Sequence, residues 1–206
     1  MRYDENIKTL QFETEGAYDF PIISPENTDC VDFIGFNYAK SAKVCNVGVH
    51  FFLDDYQFIR LWKNPINYIA MLKKFDCVLT PDFSLYTDMP QALQIYNRYR
   101  SQWIGAFLQS NLITTIPTVS WSDESSFSWC FDALPKNSCV AVSSVGTQKN
   151  KNAKELFIHG YNEMIDRLSP SKILFYGNVP DECNGNIIKI NPFQNKFRNG
   201  VKTNGR

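Results

Sequence analysis

The stretch Cys139–Tyr176, CVAVSSVGTQKNKNAKELFIHGYNEMIDRLSPSKILFY, decides the fold. It opens on a short apolar run of strand length, Cys139–Ser144, and passes through a polar turn into a helical stretch, Asn152–Leu168. Ser169-Pro170 closes that helix, and a second strand follows at Ile173–Tyr176. A strand, a helix and a strand in this order form a βαβ unit, whose crossover is long enough only for parallel pairing.

The same alternation extends outward in both directions. Upstream lie strand candidates at Val47–Leu53 (VGVHFFL), Cys77–Thr80 (CVLT) and Ile113–Ser120 (ITTIPTVS), with Val31–Phe36 (VDFIGF) opening the series and Ile187–Ile190 (IIKI) ending it. Between them, Tyr56–Phe75 has helical spacing broken by Pro65, so it reads as two helices or one kinked helix. Met89–Gln109 is the longest helical segment, with Leu93, Tyr96, Trp103 and Phe107 on one side and Arg98 and Arg100 on the other. Glu124–Leu134 reads as a short helix. The expected fold is therefore α/β, a mostly parallel sheet of five to six strands. It is either an open doubly wound sheet or a partial, irregular barrel, since a complete eight-stranded barrel needs about 250 residues.

One domain is expected over residues 1–190, with an irregular segment at 1–30 and a basic, flexible tail at 191–206. A chain of 206 residues with 44% hydrophobic and 15% aromatic side chains has ample apolar area for one core. Lys+Arg and Asp+Glu are both 21, so no global basic field draws in polyanions. The six cysteines are scattered without a CxxC pair, which argues for reduced, structural thiols rather than a zinc site or a redox dithiol. MRYDENIKTLQFETEG lacks the apolar core of a signal peptide, and no apolar run approaches the roughly 20 residues of a membrane span. The expectation is a cytoplasmic protein with no membrane partner.

In parallel α/β folds the ligand crevice lies beyond the carboxyl ends of the strands. There the sequence places Asp54 and Asp55, then Asp82, Ser84, Tyr86 and Asp88, then Ser120 to Glu124, then Ser143, Ser144, Gly146 and Thr147. Asp and Ser are also the preferred helix N-caps, and Asp55, Asp88 and Asp123 fit that role. A cap needs a single oxygen, however, and the doubled groups Asp54-Asp55 and Ser122-Asp123-Glu124 supply more.

Asp82, Asp54, Asp55 and Asp123 are the candidate catalytic carboxylates. Two of them facing one cavity would push one pKa up and leave an acid beside a base or nucleophile at neutral pH. The same oxygens would serve equally to hold Mg²⁺, and no dedicated metal set is expected otherwise. Ser143, Ser144, Gly146, Thr147 and Lys149 form the candidate phosphate-binding turn, a strand end with a glycine and a helix N-terminus behind it. It matches neither of the familiar phosphate-loop patterns. With two histidines, His50 in a strand and His159 in a helix, a histidine-rich metal site or a triad has no support. Trp121, Trp129, Tyr86 and Phe83 are available to stack on a ring, although core packing accounts for such aromatics equally well.

The segments FFLDDYQFIRLW, LTPDFSLYTDMPQALQIYNRYRSQWIGAF, PTVSWSDESSFSWCFDALPKNS and VAVSSVGTQKNK carry a resemblance over roughly Val47–Gly177. The run resembles the domain of unknown function 4417 family of bacteria, Firmicutes above all, and of phages and mobile elements. The resemblance implies a phage or mobile-element setting and transfers no catalytic residue. The residues themselves favour an enzyme, a hydrolase or transferase, that uses strand-end aspartates on a nucleotide- or nucleoside-like or phosphorylated small molecule. A non-catalytic anti-defence or host-interaction factor that binds a host protein or a nucleotide is the alternative. A DNA-handling accessory protein is a third reading, resting on Lys196, Arg198, Lys202 and Arg206 of the tail.

Overall fold

The structure, a computed structural model, describes residues 10–192. A small antiparallel hairpin of β1 (Thr14–Glu15) and β2 (Phe20–Pro21) precedes the main fold. Next, β3 (Asp32–Gly35), β4 (Gly48–His50), β5 (Cys77–Leu79) and β6 (Thr115–Ile116) pair side by side, all parallel. A second parallel run consists of β7 (Cys139–Ser143), β8 (Lys172–Tyr176) and β9 (Ile187–Lys189). The helices are α1 (Phe36–Ala39), α2 (Ile59–Lys63), α3 (Ile69–Leu72), α4 (Gln91–Ser110) and α5 (Lys151–Leu168).

The two runs meet at both edges. Beyond β6, Thr118 bridges Ala141 of β7, with Ala141 N–H donating to Pro117 O and Val119 N–H to Ala141 O, both at 2.8 Å. At the opposite edge β9 continues through Ile190 into β10 (Asn191–Pro192), which pairs in parallel with Asp32 and Phe33 of β3. The last stave therefore leans on β8 with its first half and on β3 with its second. The expected α/β class and parallel pairing hold. One parallel sheet has five strands, in the order β10-β3-β4-β5-β6, within the expected five to six, and the run β7-β8-β9 meets it at both edges. Of the two architectures left open, the described residues adopt the irregular barrel, with seven staves.

Strand alternation separates an inner and an outer core. Phe33, Cys77, Leu79, Ile116, Cys139, Ala141, Leu174 and Ile190 point inward and form one buried cluster that fills the barrel. Their neighbours Ile34, Val49 and Val78 point outward against Trp62, Leu72, Trp103, Ile104 and Leu108 of the helices. Val140, Val142, Ile173 and Phe175 do the same against Phe157, Tyr161, Met164 and Leu168 of α5. Each of these fully buried side chains is worth about 1.5–3 kcal/mol of hydrophobic stabilisation.

Three local expectations are modified. Between β4 and β5 the chain makes short turns of helix, α2 and α3, with 3₁₀ segments at Asp55–Gln57 and Pro65–Tyr68 on either side of the break that Pro65 imposes. Glu124–Leu134 is helical only as a 3₁₀ turn at Glu124–Ser128. There the hydroxyls of Ser126 and Ser128 donate back to the carbonyls of Asp123 and Ser125, which competes with a regular helix. Asn191 and Pro192, expected to begin the tail, complete the barrel, and residues 193–206 lie outside the described residues. All six cysteines are free thiols, four of them buried.

Candidate functional site

A cleft of about 970 Å³ opens at the carboxyl ends of β4, β5, β6 and β7, a size suited to a small molecule. Its floor is aromatic. Phe52, two residues past β4, stacks at 4.8 Å on Tyr176 at the end of β8, and His50 packs beneath both rings. This stack plugs the mouth of the barrel. His50 is buried, and desolvation pulls its pKa down to about 4, so the imidazole is a neutral packing group.

Asp82 stands at the end of β5 and lines the cleft, partly exposed to it. Burial in the surrounding protein raises its pKa to about 7, and the neighbouring Asp55 charge adds to that. A hydrogen bond from Ser120 and the Arg98 guanidinium act in the opposite direction. Asp54 lines the same cleft from the rim, exposed, with one carboxylate oxygen 3.4 Å from Gln57 Nε2. Asp88 is a third lining carboxylate.

Asp55 and Asp123 are placed differently from these. Asp55 Oδ1 accepts from both the backbone N–H (3.2 Å) and the hydroxyl (3.0 Å) of Ser84, which clasps the β4 loop to the β5 loop. Asp55 is not among the residues that line the cleft, and it bears on it through its charge on Asp82. Asp123 is an N-cap: its Oδ1 accepts from the Ser125 N–H at 3.0 Å and the Ser125 hydroxyl at 2.6 Å. Of the four candidate carboxylates, Asp54 and Asp82 therefore share a cavity.

At the end of β7 and in the turn that follows, Ser143, Gly146, Thr147 and Lys149 all line the cleft. The turn itself is closed by Thr147 N–H and Oγ1 donating to Ser144 O, with Gly146 at φ +86° where a side chain would be strained. Ser144 is buried and donates to Asn178 O at 2.6 Å, joining the ends of β7 and β8 rather than facing a ligand. Trp121 and Tyr86 line the cleft, whereas Trp129 and Phe83 are core residues. Among the described residues no group of three His, Cys, Asp or Glu side chains is placed to hold a metal ion. No helix among them is long and apolar enough to cross a membrane.

Helix α4 holds the cleft wall in place. Gln94, Asn97, Arg98, Ser101 and Gln102 form a buried polar face on this helix. They donate to loop carbonyls that would otherwise be stranded: Gln94 to Tyr86 and Met89, Asn97 to Ser84, Arg98 to Thr118, Ser101 to Pro81 and Gln102 to Asp132. The loop bearing Asp82 is thereby bonded at several points to a rigid element. Arg98, expected on the exposed side of this helix, is fully buried near Asp82 and Asp132, and desolvation brings its pKa down to about 10. Sequence reasoning missed this face and the Phe52 floor. The available signal was the repeat of Gln94, Arg98, Ser101 and Gln102 at helical spacing.

The opposite wall depends on Gly160 in α5, where Trp121 lies so close that a Cβ would overlap its indole. Ala for Gly in a helix interior normally gains about 1 kcal/mol. Here Gly160→Ala is expected to cost roughly 1–3 kcal/mol instead, because the indole must move off α5. Urea unfolding followed by tryptophan fluorescence reads both the loss and the displaced ring; a gain in stability would show that Trp121 swings free.

Proteins similar in sequence are found in phages. The chain is 40% identical over 173 residues to the "Gene 1 protein" of Mycobacterium phage L5, covering 82% of this chain and 76% of that protein. It is 36% identical over 173 residues to the "Gene 1 protein" of Mycobacterium phage D29, covering 64% of that longer relative. No solved structure matches the chain. The family signature extends beyond the resembling stretch at both ends, over residues 12–194, and the chain belongs to the family Domain of unknown function (DUF4417).

Proposed function

We propose that the barrel-mouth cleft is the active site of an acid–base enzyme, a hydrolase or transferase acting on a nucleotide- or nucleoside-like or phosphorylated small molecule. The observation that carries this reading is Asp82. A carboxyl poised at about 7 interconverts between acid and base near neutral pH, the condition for efficient proton transfer. As the acid it gives its proton to the departing group of the bond that breaks. As the carboxylate it then takes a proton from the incoming water or alcohol, which returns the enzyme to its starting state.

Asp54 supplies a second carboxylate in the same cleft, and Ser120 orients Asp82 by hydrogen bonding. The bonds from α4 and the Asp55–Ser84 clasp hold the β5 loop, the preorganisation that a reacting carboxyl requires.

The test is turnover of a mixed pool of nucleosides, nucleoside 5′-phosphates and sugar phosphates, followed by mass spectrometry. The wild-type chain is expected to consume at least one member. Asp82→Asn should lose that activity by about 10²–10⁴-fold, the usual share of a general acid or base. Equal rates for the two proteins, or no consumption by either, would overturn the proposal.

A further inference from the structure

The cleft holds a charge balance that narrows its ligand. Asp54, Asp82 and Asp88 line it with three carboxyls, and Lys149 is the one ammonium among the described lining side chains. Asp55 adds a further negative charge behind Asp82. A phosphate monoester, carrying close to two negative charges at neutral pH, would enter a field of its own sign. The cation at the turn is exposed and sits on a flexible stem, so solvent weakens its attraction.

The remaining lining groups suit an uncharged ring with hydroxyls. Phe52, backed by Tyr176, offers a flat aromatic floor, and Trp121 stands in the wall. Ser122 belongs to the same lining. It is 3% exposed and lines the cleft, and its Oγ has no hydrogen-bond partner among the described residues. Its backbone N–H is already committed to Ser126 Oγ at 3.0 Å, which fixes the residue in place. A buried hydroxyl left unpaired costs stability, so its retention beside a cavity points to a partner that arrives with the ligand.

We propose that the cleft takes a neutral, ring-bearing polyol of the nucleoside class in preference to a phosphate ester, with Ser122 Oγ bonding a ligand hydroxyl or ring heteroatom. This rests on the barrel-mouth cleft being the functional site, and it selects one of the substrate classes named for it. It concerns binding, so it is testable apart from catalysis.

The experiment is calorimetric titration of the full chain carrying Asp82→Asn, which holds any reactive ligand unconverted. The probes are adenosine, uridine and their 5′-monophosphates. Each nucleoside that binds should do so at least 10-fold more tightly than its monophosphate. Adding Ser122→Ala should weaken nucleoside binding by about 5–20-fold, in the range of a lost hydrogen bond, with an unfolding midpoint no lower than that of the Asp82→Asn parent. Monophosphates binding as tightly as nucleosides, or no nucleoside binding at all, would overturn the inference. Unaltered affinity in the Ser122→Ala protein would equally remove that residue from the site. Nucleoside binding without turnover by the wild type would support this inference and overturn the acid–base reading. Turnover of a phosphate ester alone would do the reverse.

Discussion

Gly48→Ala is expected to cost the fold roughly 2–3 kcal/mol, the upper range of an overpacked core. Gly48 lies on β4 directly opposite Phe33 of β3, and a Cβ built on it falls inside the Phe33 ring. Ordinarily the substitution would act in the other direction. Alanine restricts the unfolded chain and stabilises by about 0.4–1 kcal/mol wherever the backbone is compatible, and at Gly48 no positive φ forbids it.

The steric term therefore sets the sign. Both residues face the barrel interior, where Phe33 is fully buried and the surrounding strands leave no direction in which to yield. Urea denaturation gives the loss directly. Combining Gly48→Ala with Phe33→Leu should recover part of it, a coupling that a double-mutant cycle isolates. If the two substitutions were simply additive, Phe33 would not be the obstacle.

Asp82→Asn should make the protein more stable above neutral pH. Burial lifts the folded-state pKa to about 7 from the 3.8 of an exposed carboxyl. Between those values the native state keeps a proton that the unfolded chain releases, so wild-type stability falls as pH rises from about 4 to about 7. Asparagine has no charge to desolvate and none to oppose Asp55. A shift of this size corresponds to about 4 kcal/mol if undiminished, and the partial exposure of Asp82 to the cleft reduces the expected gain at pH 8 to roughly 2 kcal/mol.

For a chain of this length that is about 4–8 °C in unfolding midpoint. Near pH 4 the two proteins should converge. Thermal unfolding at pH 4, 6 and 8 decides the matter, and a variant no more stable than wild type at pH 8 would place the carboxyl in a fully hydrated environment. If the turnover test also gives its expected loss, Asp82 has the signature of a functional residue, one whose removal lowers activity while it improves the fold.

Much of this arrangement was legible from residues alone. The strands were readable because β-branched and aromatic runs such as VGVHFFL and CVAVSS bury both faces, one toward the barrel and one toward the helices. Closure was not readable. It depends on one bridge between Thr118 and Ala141 and on a two-residue ladder at Asn191–Pro192, within a polar stretch that carries no strand pattern.

The strand ends located the cleft, since the direction of a parallel sheet fixes where its loops gather. They did not sort the aspartates. Asp54 and Asp55 are neighbours in sequence, yet one lines the cleft and the other clasps Ser84, and loop side-chain directions follow from tertiary bonds rather than spacing. Arg98 was misplaced for a related reason. A buried polar face on a helix looks like a solvated one until the carbonyls it serves are known.

The divided last stave has a consequence for biosynthesis. A chain leaving the ribosome from its amino end completes β3 early, but the partner that seals that edge is the pair Asn191–Pro192, near the far end of the described residues. Until those residues emerge, β3 presents an unpaired strand edge of the kind that recruits other chains. The nascent protein therefore passes through synthesis as an open sheet until Asn191 and Pro192 cover that edge.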